Sequence, residues 1–367
     1  MGVVQLEAWY GRRSEDKTWG FPVREYWGVD PQETLSPGLR DRLAFLVTAT
    51  GTYEEAAAVA RKMDLPGDDS TLHALTQRLG KACIDQMELD LSLPEETPPL
   101  PPTRPTAEPT QGLVVMMDGW MARYRGDDWG ADPKIVTDQR VQWHEVKTAV
   151  AYRIEQSVQV SNRRGLLTEK ASTCYRGEPF EFGRRAKHAA RRRGLSTATA
   201  VTAVADGAPW IWNLVKDQFP GAVECLDFYH ASQHLWALSK ARWGEGHRYG
   251  KTWVKSLLHE LRHGDPDKVM NRILKLTKTS GLSLAAREEL QKEINYFESN
   301  RTRLNYANQA ARGWPIGSGA VESACRQLQC RFKRAGQFWS RAGFDHLAAL
   351  RAARDNGLWD KVLFPNS

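Results

Sequence analysis

Two stretches of this sequence end an apolar run in the same way. In VVMMDGW, Asp118 follows four apolar residues and precedes Gly119; in AVADGAPWIW, Asp206 closes a second apolar run and precedes Gly207. An ionised Asp at the end of a buried strand is costly unless something pairs with it. A third acid, Glu322, lies in PIGSGAVESACRQLQCRFKRAG, where Ser318 is a suitable N-cap and Glu322 falls in the first turns of a helix. An α/β core could gather these three carboxylates. Crowded acids repel, and the usual remedy is a hard divalent cation with oxygen ligands, Mg²⁺ or Mn²⁺. Two such ions about 4 Å apart bind both the attacking and the leaving oxygen of a phosphodiester. Each glycine after an Asp would let substrate or metal approach closely. A single Asp-Gly is also an ordinary turn, so the informative signal is the pair, each following an apolar strand.

Other residues carry weaker signals. Asp227, His230 and His234 are spaced D-x-x-H-x-x-x-H, and the two histidines could share a helix face as metal ligands do. Glu145 stands on a strand-like stretch with Lys147 on the same face, which suits a local ion pair. Trp339 sits among Arg331, Lys333, Arg334 and Arg341, where an unpaired base could stack. Trp210 and Trp212 read as core residues.

The elements that must position these groups are legible in outline. GLVVMMD, WHEVKTAVAYRIE, LLTEKASTCYR, ATAVTAVAD and AVECLDF read as strands. EPFEFGRRAKHAARRRGL has helical spacing through Phe182, Ala186, Ala189 and Ala190, and a helix-rich stretch follows Asp227 to about residue 312. Seven prolines in residues 93–111 specify an extended spacer, which divides the chain. Before it, GTYEEAAAVARKMDLPGDDSTLHALTQRLGKA predicts a helix-turn-helix-like hairpin over about 40–82. Thr52 and Glu55 form its capping box, Leu65-Pro66-Gly67 its stop, and Asp69 or Ser70 the second cap. His73, Gln77 and Arg78 would be its DNA contacts. The division is therefore 1–92, a linker at 93–111, a first core segment 112–230, a helical segment 231–312 and a last segment 313–367.

Charge and cysteine content narrow the function. The net charge is +7, and residues 161–200 and 231–312 each carry about +7, the clustering expected for nucleic acid. Arg184, Arg185, Arg191, Arg192 and Arg193 in the first block, and Arg326, Arg331, Lys333 and Arg334 near the end, are the expected backbone contacts. Five scattered cysteines with no C-x-x-C suggest reduced thiols rather than a disulfide framework. The start MGVVQLEAWYGRR has no signal-peptide layout, and no apolar run approaches the roughly 20 residues of a membrane span. The expectation is a soluble protein of the cytoplasm, associated with the nucleoid.

VVMMDGW, WHEVKTAVAY, VADGAPWIW, LDFYHASQHLW and PIGSGAVESACRQLQCRFKRAGQFWS, in this order, resemble bacterial insertion-sequence transposases of the ISKra type, related to mutator-like transposases. The resemblance covers nearly the whole chain and is strongest over 112–360. It implies an α/β fold with an RNase H-like catalytic core, interrupted by an all-helical insertion between the fifth strand and the Glu-bearing helix, and a small helical N-terminal domain. It implies DDE catalysis by Asp118, Asp206 and Glu322 as metal ligands, two Mg²⁺ or Mn²⁺ ions, and Asp227 and His230 beside the active site. DNA ends and target DNA would be the partners, with a homodimer or larger assembly on DNA. Similar proteins often carry an N-terminal cysteine pair, which AWYGRRSEDKTWG lacks. A non-catalytic DNA-binding regulator and a structure-selective nuclease on the same core are the rival functions.

Overall fold

The expected strands and helices form in a computed structural model that describes residues 10–15, 17–22, 35–93, 112–134, 137–161, 164–278 and 281–364. All of the Pro-rich linker except Leu93 lies outside the described residues. The chain forms two compact units, Met1–Gln86 with Ala342–Ser367, and Met87–Arg341. The sequence division kept 313–367 together, whereas here 342–367 belongs with the N-terminal helices.

The first unit begins with the short strands β1 (Gly11–Arg12) and β2 (Trp19–Gly20), then α1 (Pro37–Ala49), α2 (Tyr53–Lys62) and α3 (Asp69–Ser92), whose last turns enter the second unit. Thr52 caps α2 by accepting the Glu55 amide at 3.0 Å, and the Glu55 carboxylate returns to the Gly51 amide at 2.8 Å. The stop comes earlier than the Leu65-Pro66-Gly67 signal. Met63 is the C-cap and Asp64 adopts φ 54°, so the chain has left the helix before the proline. The cap of α3 is Asp68, not Asp69 or Ser70: its carboxylate accepts from the Thr71 amide at 2.8 Å and from the Ser70 hydroxyl at 2.9 Å. These bonds hold that exposed carboxyl down at about 2.

The second unit is built on a five-stranded sheet in the order β7-β4-β3-β8-β9. β3 (Leu113–Arg125) and β4 (Val141–Arg153) pair antiparallel along their whole length, from Leu113↔Arg153 to Arg125↔Val141. A small hairpin of β5 (Ser157–Ser161) and β6 (Arg164–Leu167) precedes β7 (Ala171–Tyr175), so the stretch expected as one strand is two. α4 (Pro179–Arg191) leads to β8 (Val201–Ala205), and α5 (Pro209–Gln218) leads to β9 (Val223–Leu226). Both helices start on a proline, whose missing N–H costs nothing at that position. β8 lies parallel to β3, and β9 parallel to β8. The apolar runs Leu113–Met117 and Ala203–Ala205 are buried, as strands covered on both faces must be.

Helices α6 (Phe228–Trp243), α7 (Arg248–His263), α8 (Pro266–Leu274), α9 (Leu284–Ser299) and α10 (Tyr306–Ala311) follow β9. They share an apolar interior that includes Leu235, Val254, Leu257, Ile273, Ile294 and Phe297. Arg303 binds Glu224 of β9 at 2.6 Å, and Gln309 binds Thr202 of β8 at 2.8 Å. The helical stretch is therefore tied to the two parallel strands. α11 (Gly319–Phe332) then packs on β3 and β4.

α12 (Arg341–Asp355) and α13 (Trp359–Leu363) close the chain. α12 buries Phe344, Leu347 and Leu350 in the first unit, and it crosses α3 so closely that a Cβ on Gly80 would lie 2.2 Å from the His346 carbonyl oxygen. Gln77 is bonded to His346 Nδ1 at 2.6 Å within that interior, which takes it from the expected DNA contacts; His73 and Arg78 are exposed. Among the described residues no helix is long and apolar enough to cross a membrane. None of the five cysteines is in a disulfide, and burial pushes the Cys83 thiol up to about 12.

Candidate active site

Strand register sets the acids side by side. Met117 of β3 pairs with Ala205 of β8, which pairs with Leu226 of β9. The next residues along these three parallel strands are Asp118, Asp206 and Asp227. They form a row across the three strands, just past the ends of β8 and β9 and part-way along the longer β3.

Each acid is held differently. Asp118 accepts its neighbour's amide, Gly119 N–H, at 2.7 Å, and the Cys325 thiol of α11 hydrogen-bonds to it. Burial raises the Asp118 carboxyl above its ordinary range; the Gly119 amide partly opposes this, and the negative charge of Asp206 raises it further. Asp206 accepts the Ala208 amide at 3.0 Å, a turn that delivers Pro209 to the start of α5. Asp227 is 0% exposed, and each of its oxygens accepts a backbone amide. One of its oxygens caps α6 through the His230 amide at 2.8 Å, and the other accepts the Ser318 amide at 2.5 Å. With the Phe228 amide bonded to the Ile316 carbonyl at 2.9 Å, Asp227 fixes the loop that starts α11.

That loop aims Glu322. Ser318 stands at the N-cap, but its hydroxyl makes no backbone cap and instead donates to the Glu322 carboxylate at 3.0 Å. Glu322 and Cys325 are three residues apart on one helix face, and Cys325 touches Asp118. Ligand atoms of Asp227, His230 and Glu322 lie within 4.8 Å of one another, a spacing at which one cation could bridge them. His234 does not join them. Its Nδ1 is 2.5 Å from the buried Glu293 carboxylate and its ring stacks on Tyr296 at 3.5 Å, so the two histidines serve different partners.

The two glycines make room for neighbouring side chains. A Cβ on Gly119 would lie 2.3 Å from Glu145 Oε1, and one on Gly207 would lie 2.3 Å from the Tyr296 ring. Glu145 is paired with Lys147 at 3.1 Å, as its spacing predicted, and Lys147 also donates to the Gly177 carbonyl at 3.0 Å. The Tyr296 hydroxyl faces Asp206, Asp227 and Glu293; burial first, and then these charges, keep it well above the ordinary phenol range. Sequence reasoning missed Tyr296 and Cys325. Cys325 lies three residues from Glu322, a readable spacing, whereas nothing in the sequence links Tyr296 to Gly207.

No family model and no curated protein matches the sequence. Among solved structures, the chain is similar to the Drosophila P element transposase strand transfer complex. The TM-score is 0.41 and the identity 11%, over 90% of this chain and 94% of that one.

The expected nucleic-acid contacts divide into two groups. Arg184 and Arg185 are both held by Glu181; Arg184 also donates to the Leu91 carbonyl at 2.9 Å and Arg185 pairs with Glu88. Arg193 binds Glu169 at 3.1 Å, and Arg192 is buried beside it. These four are engaged in the fold, and Arg191 is half-buried. Trp339 is likewise a core residue, its indole N–H donating to the Phe332 carbonyl at 2.8 Å, and Arg331 is buried against its ring. Arg326 and Lys333 are exposed, and Arg334 is half-buried.

Proposed function

We propose that this protein is a DNA transposase of the DDE type, resembling those of bacterial insertion sequences, with Asp118, Asp206 and Glu322 as its catalytic acids on an RNase H-like core. The observation that carries the reading is the Met117↔Ala205 register, which sets the half-buried carboxylates of Asp118 and Asp206 next to each other where the pairing of β3 with β8 ends. The donors fit hard divalent cations such as Mg²⁺ or Mn²⁺. They are carboxylate oxygens with one imidazole, and the one thiol among them, Cys325, is driven by burial toward its protonated form. Asp118, Asp206 and Glu322 would hold two such ions, with His230 and Asp227 adjoining.

Bound there, the cations would polarise the scissile phosphodiester and supply a nucleophile by lowering the pKa of water. The protein's own groups supply placement. Asp118 and Asp206 are fixed by the amides of Gly119 and Ala208, so neither must reorient when charge develops on the phosphate. Ser318 holds one oxygen of Glu322, and Asp227 holds Ser318, so the third acid is oriented through a chain that begins in the same row. Both hydrolysis at an element end and attack by the freed 3′-OH are in-line displacements at phosphorus, so one site serves both. Joining two ends calls for a dimer or larger assembly on DNA.

Purified protein should nick labelled DNA ends with Mg²⁺ or Mn²⁺ and join them to target DNA. Asp118→Asn and Asp206→Asn should each abolish both activities while end binding persists. Either variant nicking at near wild-type rate removes that Asp from the site. Nicking without joining selects a nuclease, and end binding without either activity a regulator.

A further inference from the structure

The two elements that carry Asp118 and Glu322 both run on past the acids and finish at one surface. β3 continues five residues from Asp118 to Arg123, and α11 with its following residue continues from Glu322 to Lys333. At about 3.4 Å per strand residue and about 1.5 Å per helix residue, each path is about 17 Å. β8 ends at Ala205, so the outer part of β3 has an uncovered edge, and the chain after α11 fills it. The Arg125 amide donates to the Trp339 carbonyl at 2.9 Å, and the Trp339 amide donates to the Arg123 carbonyl at 3.1 Å.

Cations and rings alternate on this surface. The Arg123 guanidinium lies 5.9 Å from the Trp143 ring centre and 5.0 Å from that of Phe338, and Arg125 lies 5.4 Å from Trp129. The Lys333 ammonium is 5.8 Å from Trp143, and the Trp129 and Phe338 rings pack at 5.1 Å. Trp143 and Trp129 nevertheless keep 51% and 43% of their surface exposed. Trp143 pairs with Arg123 across the ladder, five residues from Asp118, and so projects on the opposite face of the strands from that acid.

We propose that this surface is a platform for an unpaired DNA strand, with Trp143 and Trp129 each stacking a base and the exposed Arg125 and Lys333 holding its phosphates, while Arg123, whose guanidinium donates to the Arg334 carbonyl, braces the Trp143 ring. The proposal rests on the reading that the strand bound at Asp118 and Asp206 is DNA. Exposed indole faces interleaved with cations are the chemistry of sequence-tolerant single-strand binding, because every base has a π-face and every nucleotide a charge. A duplex hides its base faces and can use only the cations. The platform lies about 17 Å along β3 from Asp118 and on the opposite face of the strands, so a strand reaching both must pass around the sheet edge.

The test uses full-length Asp118→Asn protein, which leaves DNA intact, and compares a short labelled oligothymidylate with a duplex of the same length by fluorescence anisotropy. Trp143→Ala and Trp129→Ala should each weaken single-strand binding about tenfold and duplex binding by less than about twofold. Trp143→Phe, which keeps a ring, should retain most of the affinity. Unchanged single-strand affinity in both alanine variants, or equal losses on the two DNAs, overturns the platform. If Asp118→Asn itself still nicks, the assignment of the acids fails while the single-strand comparison stands.

Discussion

Glu322 and Glu145 compete for the place of third acid, and conservative substitution separates them. In Glu322→Gln the side-chain volume is unchanged and the amide oxygen can still accept from Ser318 Oγ, now at 3.0 Å. The stability loss is then limited to a negative charge at a helix start, about 0.3–1 kcal/mol. For a unit of this size that is a fall in Tm of at most about 4 °C. If Glu322 acts on the phosphodiester, nicking should drop by at least about 100-fold, a barrier increase of about 2.7 kcal/mol. Glu145→Gln breaks the 3.1 Å pair with Lys147, whose ammonium keeps the Gly177 carbonyl at 3.0 Å and the Trp210 ring at 5.4 Å. Because Glu145 is partly exposed, that change should cost no more than about 1 kcal/mol of stability, and nicking should stay within about threefold. Single-turnover nicking and thermal melts on both variants supply the comparison. The reverse ranking, or Glu322→Gln nicking within about threefold of wild type, would refute the reasoning.

In cation-free protein, Asp118→Asn should raise Tm at neutral pH. The folded Asp118 carboxyl sits above its unfolded value, so it contributes stability that is fully present below the unfolded pKa and is lost as pH rises through the folded pKa. The gain over wild type should vanish below about pH 4 in a melting series, and a constant gain would show a packing effect instead. Mg²⁺ or Mn²⁺ should raise the Tm of wild type but not of an Asp118→Asn/Asp206→Asn/Glu322→Gln variant, and full nicking in excess chelator would remove the metal from the mechanism. Gly207→Ala should destabilise by about 1–3 kcal/mol, since its Cβ would meet the Tyr296 ring at 2.3 Å. Combined with Tyr296→Leu the loss should shrink, and strictly additive melts would show that the two residues do not share that space.

What was legible in the sequence is what is encoded locally. The apolar runs closed by Asp118 and Asp206 became the parallel strands β3 and β8, Pro179 and Pro209 began helices, and Thr52 capped α2. The illegible parts depend on partners distant in the chain. Three candidate caps stand together in Asp68-Asp69-Ser70, and only geometry selects Asp68. The arginines of the block at 161–200 looked like a nucleic-acid face because a tally of charge does not show which of them pair, and one partner, Glu88, lies far away in the chain. Trp339 looked available for stacking because its neighbours are cationic, yet it bridges to Tyr124 and enters the core. Likewise the glycines after the two Asp residues were visible, but not that Glu145 and Tyr296 occupy the space beside them.

The row of acids also sets a schedule. Asp118 and Glu322 are 204 residues apart, and the loop that aims Glu322 is tied to Asp227. At about 5–20 residues per second of synthesis, roughly 10–40 seconds pass between the appearance of the first acid and the last. During that interval the sheet can form its first strands, while Glu322 has not yet been made. If Glu322 is the third catalytic acid, a nascent chain is silent until α11 has been synthesised, and a truncated product that stops within the helical stretch would keep β3 and β4 but lack that acid.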